Sequence, residues 1–153
     1  MDKAEELFEQ VYERYGPSLY RFCLMQMKHQ ADAEDILQEV FCKRLYQAPR
    51  FKSPEHERNW LFRVALNLCR DEWRRRRRSE LPLEAAVGAA IAPEELSLLD
   101  QVADLPEKQR TALHLYYYEG YSLREIARLL DVTVPTVKMR LKRGREALRK
   151  EWI

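Results

Sequence analysis

The stretch Tyr121-Ser122-Leu123-Arg124-Glu125-Ile126-Ala127-Arg128-Leu129-Leu130-Asp131-Val132-Thr133-Val134-Pro135-Thr136-Val137-Lys138-Met139-Arg140-Leu141-Lys142-Arg143 decides how the chain is read. Ser122 followed three residues later by Glu125 is a capping box, so a short amphipathic helix starts here. Asp131-Val132-Thr133 makes the turn, and Pro135 near the start of the next segment suits the first turn of a second helix. Ala127 is small where two helices cross, and Ile126, Leu130, Val132, Val137 and Leu141 are expected to fill the shared core. The outer side of the second helix then offers Thr136, Lys138, Met139, Lys142 and Arg143 to a major groove. A plain helical hairpin has similar spacing. The density of basic residues favours the helix-turn-helix.

Charge organises the rest of the chain. The 153 residues carry 27 Lys+Arg and 25 Asp+Glu, a net charge of only +2. Split by composition, residues 1–78 carry +3, 79–107 carry −7 and 108–153 carry +6. Such asymmetry attracts polyanions locally even when the whole chain is near neutral. Two basic runs stand out, Arg74 to Arg78 and Lys138 to Lys150. One or two cations complement a helix C-terminus, so five consecutive arginines point to phosphate.

Upstream, helical periodicity prevails and no alternating strand is visible. Leu7, Phe8, Val11, Tyr12 and Tyr15 form one stripe. Gly16-Pro17 is expected to end that helix and open a second carrying Leu19, Tyr20, Phe22, Cys23 and Met27. A third helix begins near Ala31-Asp32, with Ile36, Leu37, Val40, Phe41 and Leu45 inside and Asp32, Glu34, Asp35, Gln38 and Glu39 on an acidic outer face. Ser53-Pro54-Glu55 starts a fourth, which bears Trp60, Leu61, Val64, Ala65, Leu68 and Cys69 and runs through Trp73 into the arginines. Residues 79–93, rich in small residues and holding two prolines, read as a flexible linker. Glu94 to Ala103 reads as a short helix, and Pro106 opens another through Tyr118 that Glu119-Gly120 closes. The fold class is therefore all-α, two small helical domains (1–78 and 94–153) joined by that linker.

Other chemistries find little support. Cys23, Cys42 and Cys69 are odd in number and widely spaced, which argues for buried thiols rather than disulfides or zinc. His29, His56 and His114 are isolated, and no metal or other cofactor is expected. No P-loop, glycine-rich nucleotide fingerprint or nucleophile–base pair is present, so catalysis is not expected. No apolar run reaches the roughly 18 residues of a membrane span, and the acidic, polar start is unlike a signal peptide, so the expected location is cytoplasmic.

Two blocks together resemble a known family. Asp32-Ala33-Glu34-Asp35-Ile36-Leu37-Gln38-Glu39-Val40-Phe41, then Asn59-Trp60-Leu61-Phe62-Arg63-Val64-Ala65-Leu66-Asn67 with arginines downstream, is similar to region 2 of bacterial RNA polymerase sigma factors of the sigma-70 family. Leu105-Pro106-Glu107-Lys108-Gln109-Arg110, Glu119-Gly120-Tyr121-Ser122 and the helix-turn-helix through Arg149 resemble region 4. Order, spacing and coverage fit the small extracytoplasmic-function (ECF) group.

The resemblance implies an alternative sigma factor whose partners are core RNA polymerase, through its β′ clamp coiled coil and β subunit, promoter DNA and an anti-sigma factor. Asp35, Gln38 and Glu39 occupy positions that bind the clamp coiled coil in the family, where an acidic face meets a basic partner. The −10 strand falls to Phe51, Lys52, Arg58, Asn59, Arg63, Asn67, Arg70 and Arg74, which combine an aromatic for stacking, amides for base edges and cations for phosphate. By its spacing with Val64 and Leu68, Trp60 reads as core rather than as a stacking residue. The −35 element falls to Thr133, Pro135, Thr136, Lys138, Met139, Lys142 and Arg143. Pro135 stands where glycine is frequent in the family, Met139 where a small polar residue is common, and Gly144 where alanine is usual. Met139 can meet a thymine methyl but cannot read a hydrogen-bonding edge, and Gly144 is expected to soften its helix by roughly 1 kcal/mol. The alternative is a helix-turn-helix regulator that binds duplex operator without joining a polymerase.

Overall fold

The computed structural model describes residues 3–79 and 101–151. The chain divides into two compact units, Met1–Gly88 and Ala89–Ile153, and all regular structure among the described residues is helical.

In the first unit, α1 (Lys3–Met27), α2 (Gln30–Gln47) and α3 (Pro54–Ser79) each pack against the other two. Their core contains Leu19, Phe22, Cys23, Ala33, Val40, Leu61, Phe62, Ala65 and Cys69, all essentially inaccessible to water. Phe22 and Phe62 meet edge to face at 5.4 Å, a geometry that adds quadrupole attraction to the burial of two large apolar side chains. Lys28 adopts a left-handed conformation (φ 59°), and its N–H bonds to Leu24 O at 2.8 Å. This turns the chain from α1 into α2. α3 starts at the expected cap, with the His56 N–H donating to Ser53 Oγ at 3.1 Å.

The break expected at Gly16-Pro17 does not occur, because α1 runs through Pro17 without interruption. An interior proline costs about 3 kcal/mol. Buried side chains lie on both sides of it, Tyr15 before and Leu19, Phe22 and Cys23 after, and their transfer from water, at roughly 1.5–3 kcal/mol per large apolar side chain, outweighs that cost. The N-terminal stripe is only partly inside. Phe8 and Tyr12 lean on Phe41 at 5.9 and 4.8 Å, while Leu7 and Tyr12 remain exposed, as does Leu45 of α2.

The cysteines need a further correction. Cys23 and Cys69 are buried, but Cys42 is exposed. Phe41 takes the inward position on α2, and the next residue is rotated about 100° away from it.

The second unit consists of α4 (Glu107–Leu113), which continues as a wider π-helical turn (His114–Tyr118), α5 (Leu123–Leu130) and α6 (Val134–Glu151). α6 packs on both α4 and α5. Residues 101–103 are helical, whereas the rest of the helix expected over 94–103, and the linker expected over 79–93 apart from Ser79, lie outside the described residues. Arg110 is buried and donates from Nη1 to Ala103 O and Leu105 O, both at 3.2 Å. A guanidinium thus fastens α4 to the segment before it while satisfying two buried carbonyls. In the π turn the buried His114 places Nε2 3.0 Å from Glu119 Oε1, and Gly120, at φ +71°, exits the turn in a conformation glycine adopts without steric cost.

Ile126, Ala127, Val137 and Leu141 form the α5–α6 core as expected, while Leu130 and Val132 are only half-buried. Gly144 is a packing residue rather than a soft spot. A Cβ at that position would lie 2.7 Å from Leu113 Cδ1 and 3.1 Å from its Cγ, so the missing side chain is what lets α6 approach α4 closely.

Candidate nucleic-acid interface

α3 presents two unlike faces. Leu61, Phe62, Ala65, Leu66 and Cys69 point inward, and Asn59, Arg63, Asn67, Arg70 and Arg74 recur at helical spacing along another side. Arg63, Asn67 and Arg74 are exposed, and Asn59 and Arg70 are half-buried. Asn59 Oδ1 is buried without a hydrogen-bond partner among the described residues. Arg58 precedes Asn59 by one residue and so points about 100° round the helix from it. The structure therefore aligns five of the expected −10 residues and sets Arg58 apart.

Phe51 and Lys52 lie in the loop before α3. Lys52 is exposed. Phe51 is half-buried, with the Arg44 guanidinium carbon over its ring at 5.0 Å and His56 and Trp60 edge-on at 5.3 and 5.7 Å. Trp60, expected in the core, is half-buried against this ring. Arg44 itself is held by Glu57, whose Oε2 accepts from Nε and Nη2 at 3.1 and 2.8 Å. Sequence reasoning missed both Arg44 and His56. His56 stands three residues after Ser53, where a capping partner belongs. For Arg44 no local signal exists.

The arginine run is not wholly available to phosphate. Arg76 bonds to Asp32 Oδ2 at 2.6 Å and to Glu72 Oε1 at 3.1 Å, with all three side chains largely covered. Arg75 also meets Glu72, and the exposed Arg74 lies 3.4 Å from Asp71. The hydrogen bond from Arg75, aided by Arg76, holds the Glu72 carboxyl below its ordinary range in spite of partial burial. Hydrogen bonding to Asp32 raises Arg76 still further above its ordinary value. Asp32 is thereby withdrawn from the acidic face of α2. Asp35, Gln38 and Glu39 remain exposed there, and the same face continues through Cys42 to Tyr46, which is 80% exposed. This apolar extension follows from i+7 and i+11 spacing from Asp35, a pattern missed when Cys42 was placed inside.

In the second unit the helix-turn-helix is locally over-determined. Ser122 Oγ accepts from the Glu125 N–H and Glu125 Oε1 from the Ser122 N–H, both at 3.1 Å. Asp131 takes the left-handed cap (φ 55°), and the Val132 N–H reaches back to Ala127 O at 2.9 Å. Thr133 Oγ1 caps α6 by accepting from the Thr136 N–H at 3.3 Å and lies 2.8 Å from Thr136 Oγ1. Both hydroxyls are thus partly occupied. Thr133, Pro135, Lys138, Met139, Lys142 and Arg143 are exposed, and Thr136 is half-buried. An α6 N-terminus lined with such groups combines helix-dipole and cationic attraction for a phosphate backbone. Among the described residues, no group of three or more His, Cys, Asp or Glu could hold a metal ion, and no helix is long and apolar enough to cross a membrane.

Comparisons with known proteins assign the chain to one family. Residues 11–79 match the model for Sigma-70 region 2 and residues 95–148 the model for Sigma-70, region 4. The ECF RNA polymerase sigma factor SigW of Bacillus subtilis is 32% identical, over 96% of this chain and 89% of that protein. The fold is similar to that of the sigma factor RpoE in its complex with the anti-sigma factor NepR from Bartonella quintana (TM-score 0.81, 22% identity, 94% of each chain). It is also similar to that of CnrH in complex with the cytosolic domain of CnrY (TM-score 0.69, 25% identity, 97% of this chain and 88% of that one). Both regions match in order along the chain, and a relative above 30% identity spans nearly all of it; the chain belongs to the ECF group of RNA polymerase sigma factors in the sigma-70 family.

Proposed function

We propose that this sigma factor joins core RNA polymerase through the exposed Asp35, Gln38 and Glu39 face of α2, with the β′ clamp coiled coil as partner and the second unit on the β subunit, and directs initiation from promoters it recognises at −35 and −10. The observation that carries the reading is the three-helix unit itself. One of its helices exposes an acidic, hydrogen-bonding face, and another exposes the Arg63, Asn67 and Arg74 stripe. An acidic surface suits a basic protein partner, and a cationic, amide-bearing stripe suits an unstacked strand. In the second unit, α6 carries Pro135, Thr136, Lys138, Met139, Lys142 and Arg143, together with its capping residue Thr133, to the major groove of the −35 duplex, as the second helix of a helix-turn-helix does.

Opening the −10 segment costs a few kcal/mol per unstacked base, which stacking and phosphate contacts with the captured strand offset, so the protein's role is binding rather than catalysis. Its place is the cytoplasm, with the polymerase. An anti-sigma protein that covers the acidic face of α2 is a further partner on this reading; CnrH, a structural relative, is bound to a second protein.

The test is transcription initiation by purified core polymerase with and without the protein, with start sites mapped by sequencing. Cognate start sites that vanish with Asp35→Lys and Glu39→Lys support the reading. Duplex binding without core polymerase and initiation indifferent to those substitutions would favour the duplex-binding regulator.

A further inference from the structure

The stripe on α3 extends one turn further toward the N-terminus than the residues assigned to the −10 strand. His56, three residues before Asn59, lies on the same side of the helix. Its backbone N–H donates to Ser53 Oγ at 3.1 Å, and its ring Nδ1 accepts from the Lys52 N–H at 3.1 Å. Ser53 thus caps the helix through the His56 N–H, while the imidazole accepts one residue further out, from Lys52 rather than from the Ser53 N–H that a capping-box glutamate would take. Accepting at Nδ1 places the proton of the neutral ring on Nε2.

The same imidazole meets the Phe51 ring edge-on at 5.3 Å. Over that ring, at 5.0 Å, stands the guanidinium of Arg44 from the last turn of α2, a cation–π contact. Arg44 is in turn anchored on Glu57 in the first turn of α3, and the Glu57 N–H bonds to Ser53 O at 3.2 Å. Two helices therefore grip one aromatic side chain in a six-residue connection, 48–53, that contains no regular structure. A loop whose only task is to join α2 to α3 has no need of a doubly held phenyl ring.

We propose that Arg44 and His56 are positioning residues of the single-strand site: they fix Phe51 and the backbone of Lys52 before DNA arrives, so that an unstacked base meets a preformed floor. The inference rests on the assignment of α3 to the −10 strand. A preformed surface spends no binding free energy on ordering itself, and it discriminates among bases because its shape is set beforehand. An unheld ring follows the base it meets and discriminates less.

The experiment uses the full chain assembled with core polymerase and, as probe, duplexes bearing a nontemplate overhang randomised across the −10 segment, with bound DNA sequenced. Arg44→Met keeps the stem and removes the guanidinium. His56→Gln removes the acceptor near the Lys52 N–H, whereas His56→Asn places an amide oxygen close to where Nδ1 stood. The expected result is a strong preference in the unmodified protein, a roughly tenfold fall in that preference at one overhang position in Arg44→Met and His56→Gln, and recovery in His56→Asn. Capture of −35 duplex and affinity for core polymerase stay unchanged. A preference undiminished in both variants overturns the positioning role alone. A fall at every position together with lower thermal stability also overturns it, since that is the mark of a structural contact. An unmodified protein with no preference at any overhang position overturns the −10 assignment itself, and this inference with it.

Discussion

The two basic runs of this chain look alike as sequence and differ in where their charge goes. In α3, Arg74, Arg75 and Arg76 each meet a carboxylate, and Arg76 ties the far end of the helix to Asp32 at the start of α2. In α6, Lys138, Lys142 and Arg143 are exposed, and no carboxylate lies within ion-pair distance of them among the described residues. A run of like charge thus measures cationic density but not cationic availability. What separates the two is the acidic context in the fold: Asp32 on a neighbouring helix and Glu72 one turn back serve the first run, and only Glu146 lies inside the second.

The largest effect separating the runs is on DNA. Replacing Lys142 and Arg143 together by alanine removes two exposed cations from the proposed groove-facing side of α6. Affinity for −35 duplex is expected to fall roughly 10- to 100-fold near physiological salt, and the slope of log affinity against log salt to shrink by about 2. Titrating labelled duplex at several salt concentrations checks both, and thermal stability should not move. Arg76→Ala in the same assay should leave duplex affinity nearly unchanged. An equal loss in the two proteins breaks the contrast.

Arg76→Ala should act on stability instead. It removes two charge-assisted hydrogen bonds and leaves Asp32 and Glu72 without that partner, a change expected to cost the first unit about 2 kcal/mol. Denaturant unfolding followed by tryptophan fluorescence measures it, since Trp60 and Trp73 both lie on α3. Asp32→Ala should cost a similar amount, and the double variant less than the sum of the two, because neighbours that share a bond are not additive.

Gly144 lies within the second run, and there the sign of the effect is at issue. Alanine gains roughly 1 kcal/mol of helix propensity over glycine, but its Cβ would sit 2.7 Å from the buried Leu113 Cδ1. Overpacking of this kind costs about 1–3 kcal/mol, so Gly144→Ala is expected to destabilise the second unit by about 1 kcal/mol. The Leu113→Ala background, which opens the space, should reverse the sign. Differential scanning of the four proteins measures it.

What was legible in the sequence follows the same division. The capping box at Ser122 and Glu125, the exit at Gly120 and the turn at Asp131-Val132-Thr133 before Pro135 are local, each written within a few residues, and the helix-turn-helix could be read from them. Gly16-Pro17 is also a local signal, but packing from elsewhere in the chain overrides it. Arg76 with Asp32, Arg44 with Glu57, and Gly144 with Leu113 join residues distant in sequence, and periodicity carries no trace of such pairs. Among the site residues, exposure along α3 and α6 followed from helical spacing, whereas the grip on Phe51 did not.

The smallest effect is one of pH, and the first run alone should show it. The bond from Arg75, with help from Arg76, keeps the folded-state value of Glu72 below its unfolded value, which is near 4.3. A depressed carboxyl stabilises the fold fully above the unfolded value and loses that contribution as pH falls through the folded one. Comparing unmodified protein with Glu72→Gln by denaturant unfolding should therefore give a constant difference from neutral pH down to about 5. The difference should then narrow across the interval below about 4.3, and vanish once Glu72 is protonated in both states. Lys142→Ala, at an exposed site in the second unit, should keep the same small difference from the unmodified protein throughout. If the Glu72 difference persisted undiminished into strong acid, the carboxylate–arginine bonds would not be its source, and the reading of Arg75 and Arg76 as internally neutralised would lose its energetic support.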